Sequence, residues 1–180
     1  MILTCFSHIL FVHLLKIYFI MREEFYLFWG GFCSQWFPSK FVIDGIEYND
    51  CEQYMMSRKA LLFKDVKTNQ KIMMLTDPRM QKAAGREVKN FKADKWNAIC
   101  RDVVYQANYA KFTQNPDLLK ELISTGDKQI VEASPEDKIW GIGLHASDPR
   151  ASDRRFWLGS NWLGEAITKV RETIKNDNKL

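Results

Sequence analysis

Glu52 and Lys59 are the two residues whose types and spacing best fit chemistry on a bound ligand. On a helix, a seven-residue offset is almost two turns, so both side chains leave one face with Cα atoms about 10 Å apart. That gap is too long for a direct ion pair and suits two groups converging on a ligand between them. Met55 and Met56 lie in the intervening stretch, where an apolar floor would be needed. The same residues also fit a plainer reading. Glu52 stands three after Asn49, as in a capping box, and Lys59 would then be a solvated surface residue.

Other candidates follow along the chain. Asp137 precedes Trp140, Gly141, Ile142 and Gly143, and such glycines let backbone approach a ligand closely. Asp137 fits a turn residue equally well. Arg86, after Gly85, could meet a phosphate or simply lie on the surface. Trp96 falls in an apolar stripe and reads as core before it reads as a stacking platform. Asn161-Trp162-Leu163-Gly164 opens a helix whose free N–H groups could hold an anion, or be capped by Ser160 or Asn161.

The elements that must position these groups are mostly helical. Phe25–Trp36 is aromatic-rich and holds Gly30-Gly31, a strand-and-turn pattern. Two short β-type runs flank Asp44-Gly45, which predicts a hairpin with a type I′ turn. The Asn49–Glu52 capping pattern predicts a helix from there to about Phe63. Further helices are expected at about 66–75 and 78–84, the second with Asp77 as N-cap, Pro78 in its first turn and Gly85 as its stop. The spacing of Trp96, Ile99, Cys100, Val103, Val104 and Ala107 predicts the longest helix, starting near Asp94. Pro116 opens a shorter helix that Gly126 closes. Gln129–Ala133 is a strand candidate, 134–160 reads as loop, and a last helix is expected from about Asn161 to Lys175. The fold class is therefore mainly α with a small β element.

With 180 residues and nearly half of them apolar, the chain can bury one core, expected from about Met21 to the end. The net charge of +4 permits phosphate-bearing ligands without demanding them. No Lys/Arg block forms a nucleic-acid arm. Cys5, Cys33, Cys51 and Cys100 have no CxxC spacing, and His8, His13 and His145 add no ligand pattern, so neither a metal nor another cofactor is expected. Scattered thiols fit a reducing, cytoplasmic setting. Residues 1–20 are apolar but interrupted by Ser7, His8, His13 and Lys16. They make a poor signal peptide and a costly membrane span. The expectation is an extension ahead of a true start at Met21, with a membrane anchor as the alternative.

In order, the chain carries an aromatic-rich start, the Asp44-Gly45 hairpin, Glu52-x-Tyr54-x4-Lys59, Pro78-x6-Gly85-Arg86, Trp96, Asp137-x2-Trp140-Gly141-x-Gly143 and Asn161-x-Leu163-Gly164. This order resembles the NADAR family, also called YbiA-like, over about Phe25 to Arg171. The resemblance implies a compact multihelical fold with an N-terminal β-hairpin. It also implies N-glycosidase activity on ADP-ribosylated guanine or on phosphoribosylamino-pyrimidine intermediates of riboflavin synthesis. By the same resemblance the functional acid falls on Glu52, the lysine on Lys59, the tryptophan on Trp96 and a second acid on Asp137. Trp140, Gly141, Gly143, Asn161 and Gly164 match the binding loops. The substrate implied is a ribosylated small molecule or an ADP-ribosylated nucleobase, free or in nucleic acid. Two positions depart from the family: Gln35 where Asn is common, and Gln53 where His is common. Both bear on substrate choice and leave room for a module that binds NAD or ADP-ribose without turnover. The stretch 144–156 is longer than in the shortest members and adds Arg150, Arg154 and Arg155, which would suit a diphosphate or a nucleic-acid backbone, or simply a solvated loop.

Overall fold

The structure, a computed structural model, describes residues 23–178. The expectations for residues 1–20 lie outside that range. Among the described residues there are four short strands and seven α-helices. Strand β1 (Phe25–Phe28) pairs in parallel with β4 (Gln129–Glu132), from Phe25 opposite Gln129 to Phe28 opposite Glu132. Strands β2 (Phe41–Ile43) and β3 (Ile46–Tyr48) form the expected antiparallel hairpin. Asp44 and Gly45 take φ of 52° and 76°, the left-handed pair that a type I′ turn needs.

Helix α1 (Cys51–Leu62) is the centre of the fold. It packs against α2 (Val66–Met74) and α3 (Pro78–Arg86) on one side and against α5 (Cys100–Gln114) on the other. The short α4 (Ala93–Asn97) leads into α5, α6 (Pro116–Ser124) follows it, and α7 (Trp162–Asn178) packs on both α5 and β4. Tyr54, Ile72, Val104, Phe112 and Ile167 are among the residues that fill the core between them.

Three boundaries differ from expectation. The capping box is shifted by one residue. Asp50, not Asn49, is the N-cap, and its Oδ1 accepts from Gln53 N–H at 2.8 Å. Gln53 closes the box by accepting from Asn49 N–H at 2.8 Å. Glu52 is therefore released from capping. Gly85 does not stop α3. It lies inside the helix, where a Cβ would come within 2.0 Å of Met56 Sδ, so its small size serves helix packing. The helix expected from Asp94 is divided after Asn97, and the 17-residue α7 exceeds the 15-residue α5. Ile99 breaks the run with φ −124° and ψ −15°. The periodic apolar stripe crosses this break, which is why spacing alone joined the two helices. Asp77 capping and Pro78 in the first turn of α3 are as expected.

Asp50 also accepts from Gln81 Nε2 at 3.2 Å, which ties α1 to α3. Asp50→Ala removes the cap and leaves that buried amide short of an acceptor. We expect a loss of about 1–3 kcal/mol, read from urea midpoints at unchanged slope.

Candidate active site

Helix α1 is buried on nearly every side, with Cys51 through Ser57 all inside. An interior helix must satisfy each polar side chain it carries. Gln53 is satisfied completely, since its Nε2 donates to the carbonyls of Ile72, Met73 and Leu75 at the end of α2. It is buried and does not line the cleft that Glu52 lines, so this departure from the family falls at a buried joint. Glu52 is different. One carboxyl oxygen accepts from Trp36 Nε1 at 3.2 Å, and the other is buried with no partner. Glu52 lines a cleft of about 740 Å³, large enough for a nucleotide-sized ligand.

The cleft is built from six parts of the chain, the smallest of them Leu163 of α7. Residues 29–38 form one wall, including Trp29, Gln35 and Trp36. Helix α1 supplies Glu52, Met55, Met56 and Lys59, and α3 supplies Lys82 and Arg86. Trp96 of α4 adds a ring, and the chain from the end of β4 adds Glu132, Ser134, Glu136, Asp137, Ile139 and Trp140. Glu52 and Lys59 thus share one cavity, with both methionines between them as the floor.

Burial pushes the Glu52 carboxyl up to about 7; Lys82 and the Trp36 N–H pull it down, while Asp50 and Asp137 add to the rise. The Glu132 carboxyl is likewise pushed to about 7, first by burial and then by Asp137, against Lys82, with Glu52 adding to the rise. One Glu132 oxygen is buried without a partner. Burial lowers the Lys59 ammonium below its ordinary value, with Glu52 opposing and Arg86 reinforcing that change. Lys59 Nζ lies 4.6 Å from the Phe91 ring centroid, and Lys82 Nζ lies 5.6 Å from that of Trp36.

The remaining candidates divide into two groups. Asp137 borders the cleft, and its Oδ1 accepts from the N–H groups of Ile139 and Trp140 at 2.9 and 2.8 Å, so it also shapes the turn. Trp96 belongs to the core and to the cleft wall at once. Trp140 lines the cleft and packs edge-on against Trp162. Gly141, Gly143, Asn161 and Gly164 stand behind the wall. Asn161 is fully buried at φ 55°; its Oδ1 accepts from Glu132 N–H at 2.9 Å and its Nδ2 donates to Ile130 O at 3.1 Å. A Cβ on Gly141 would meet Glu132 O at 2.8 Å, and one on Gly164 would meet Ile130 O at 2.1 Å. Arg150 and Arg155 pair with Asp148 and Asp153, and Arg154 with Glu23, so these cations are held by carboxylates away from the cleft wall.

Sequence reasoning missed Glu132, Lys82 and Lys111. Glu132 sits at the end of a strand with no motif around it, and Lys82 is one of many scattered lysines. Lys111 is fully buried and donates to Ser34 O at 2.9 Å, fixing the loop that carries Gln35 and Trp36. Its signal is a lysine inside an apolar helical pattern. Among the described residues, no group of three or more His, Cys, Asp or Glu is placed to hold a metal, and no helix is long and apolar enough to cross a membrane.

Fold and site together define a small α-rich domain with buried acids in a nucleotide-sized cleft. The NADAR domain matches residues 19–175, and the chain belongs to the NADAR family. It is 47% identical over 144 residues to an N-glycosidase of Acanthamoeba polyphaga mimivirus, covering 77% of this chain and 85% of the relative. It is 39% identical over 170 residues to the protein irg-1 of Caenorhabditis elegans, covering 84% and 80%. A riboflavin biosynthesis protein of Vibrio vulnificus is 27% identical over 159 residues, covering 88% of this chain and 38% of that protein. The NMR structure of the Escherichia coli protein YbiA superposes with a TM-score of 0.72 at 23% identity, covering 88% of this chain and 89% of that one, and shares the fold.

Glu52 carries a stability signature. Its folded value of about 7 stands above its ordinary 4.5, so folding favours its neutral form. Its contribution is fully present below pH 4.5 and lost as pH rises through 7. Glu52→Gln keeps the neutral shape. We expect the variant to match wild type at pH 4 and to be more stable at pH 8 by an amount on the order of 1–3 kcal/mol, by thermal melts across that range.

Proposed function

We propose that the cleft hydrolyses the N-glycosidic bond of ADP-ribosylated guanine or of a phosphoribosylamino-pyrimidine. The observation that carries this reading is the buried, half-satisfied Glu52 carboxyl facing a nucleotide-sized cleft. The N-glycosidases among the relatives support the same bond, and the riboflavin biosynthesis relative supports the pyrimidine substrate.

Breaking this bond builds positive charge at C1′, which a carboxylate can stabilise while water attacks. Glu52 lies in the cleft for that task. Trp36, Trp96 and Trp140 offer flat faces for a base. Lys59, Lys82 and Arg86 give the cleft three cations for phosphate oxygens. Asp137 has a second carboxyl oxygen that can orient the ribose while the first holds the turn. Lys59 has two roles open to it. As a cation it would hold a phosphate. As a free amine it would attack C1 of opened ribose and form a Schiff base, and the lowering of its ammonium by burial supports that route. A binding module without turnover gains nothing from Gln53, which is buried away from the cleft, and Gln35 is held by Asn108 at 2.9 Å. A cytoplasmic setting goes with this proposal, with Cys33, Cys51 and Cys100 as buried free thiols.

Free-base release from guanine-linked ADP-ribose and from the ribosylamino-pyrimidine should show wild-type turnover of one of them. Glu52→Gln should lower kcat by about 10²-fold or more. Full activity in that variant would remove Glu52 from the mechanism. Borohydride added during turnover should fix sugar mass on Lys59; absence of an adduct leaves Lys59 as the phosphate cation.

A further inference from the structure

We propose that Glu132 is the second acid of the site, protonating the departing nitrogen while Glu52 acts beside it as the carboxylate. This rests on the N-glycosidase reading and assigns a role to a residue no motif marked.

The geometry begins with what holds Glu132. It is the last residue of β4, and its backbone is fixed at both polar groups. Its N–H donates to Asn161 Oδ1, and its carbonyl accepts from Ile142 N–H at 2.9 Å. Ala133 N–H then donates to Phe28 O at 2.7 Å, which anchors the strand end to β1. Gly141 must lack a Cβ because Glu132 O occupies that space. Gly164 must lack one because Ile130 O and the Asn161 amide occupy it. Asn161 itself is held at positive φ to reach both Ile130 and Glu132. Gly141, Asn161 and Gly164 therefore converge on one task, placing Glu132 at the cleft.

The surroundings then divide the labour. The Trp36 indole N–H donates to Glu52, and a donor aimed at a carboxyl favours its ionised form. Glu132 keeps a buried oxygen with no partner. Glu52 and Asp137 oppose ionisation of Glu132, Asp137 also opposes that of Glu52, and Lys82 favours ionisation of both. Two buried carboxyls that share one cation and both face Asp137 do not readily ionise together near neutrality. The indole donor favours the charge on Glu52, and the proton falls to Glu132, which has no such donor.

The step balances. The C1′–N bond breaks, and its electron pair takes the proton from Glu132. The oxygen of a water forms the new bond to C1′, and that water gives a proton to the Glu52 carboxylate. The products are the free base, bearing the new N–H, and ribose bearing a hydroxyl. Proton exchange with solvent returns Glu52 to carboxylate and Glu132 to acid.

The test is Glu132→Gln in the full chain, assayed from pH 5 to 9 with whichever of the two substrates wild type releases. Wild type should give a bell, with activity rising as Glu52 ionises and falling as Glu132 does. The variant should lose about 10²–10⁴-fold in kcat, keep KM within a few-fold, and lose the falling limb at high pH. Glu132→Asp should restore part of kcat together with that limb. A reduced rate with the bell intact means Glu132 only shapes the wall and overturns the proposal, as does unchanged kcat. Carbon-13 titration of the Glu carboxyls in wild type needs no variant, and Glu132 titrating near 4.5 would also overturn it. Wild type inactive on both substrates would instead overturn the N-glycosidase reading.

Discussion

A carboxyl set inside a helix that is itself inside the protein is the constraint from which the rest of this structure follows. Burying Glu52 among Cys51, Tyr54 and Met55 without a full set of donors disfavours its charge. The fold tolerates this because α1 is fixed independently of it. The Asp50–Gln53 capping box closes the first turn, Gln53 clamps the end of α2, and Asp50 reaches Gln81 on α3. The polar groups of α1 that could have relieved Glu52 are already engaged in building the scaffold. What remains to Glu52 is one indole N–H and an empty space of ligand size.

The same logic explains the opposite wall. Strand β4 is short and, among the described residues, pairs with one partner strand, so sheet hydrogen bonds alone would hold its end weakly. Asn161 supplies the missing contacts from the start of α7, using its side-chain amide as a substitute strand. The close approach of α7 to β4 depends on Gly164, which has no room for a side chain. Gly141, Asn161 and Gly164 pack, in three dimensions, as a frame behind Glu132. Two acids, each held by a separate rigid element, then face one cleft beside three cations.

The cations show how local pairing sorts function from solubility. Arg150, Arg154 and Arg155 lie close together in the sequence, yet each is held by a carboxylate in exposed surface. Lys59, Lys82 and Arg86 are scattered in sequence but converge because α1 and α3 lie side by side, as Gly85 against Met56 requires. The cationic lining of the cleft is a property of helix packing, and charge density along the chain does not reveal it.

The sequence by itself determined the local elements and one half of the site. Asp44-Gly45 specifies its turn through positive φ, Asp77-Pro78 specifies a helix start, and seven-residue spacing puts Glu52 and Lys59 on one face; these depend only on neighbours along the chain. The order of motifs also identified the family. Tertiary structure decided the rest. Which residue caps α1 depended on whether Asp50 or Asn49 met its partners on α2 and α3. Whether Gly85 ended a helix or admitted a methionine depended on the helix across from it. Glu132, Lys82 and Lys111 acquire roles only when distant segments meet, because burial, pairing and the resulting shift in a carboxyl's proton affinity belong to the space around a residue and not to its place in the chain.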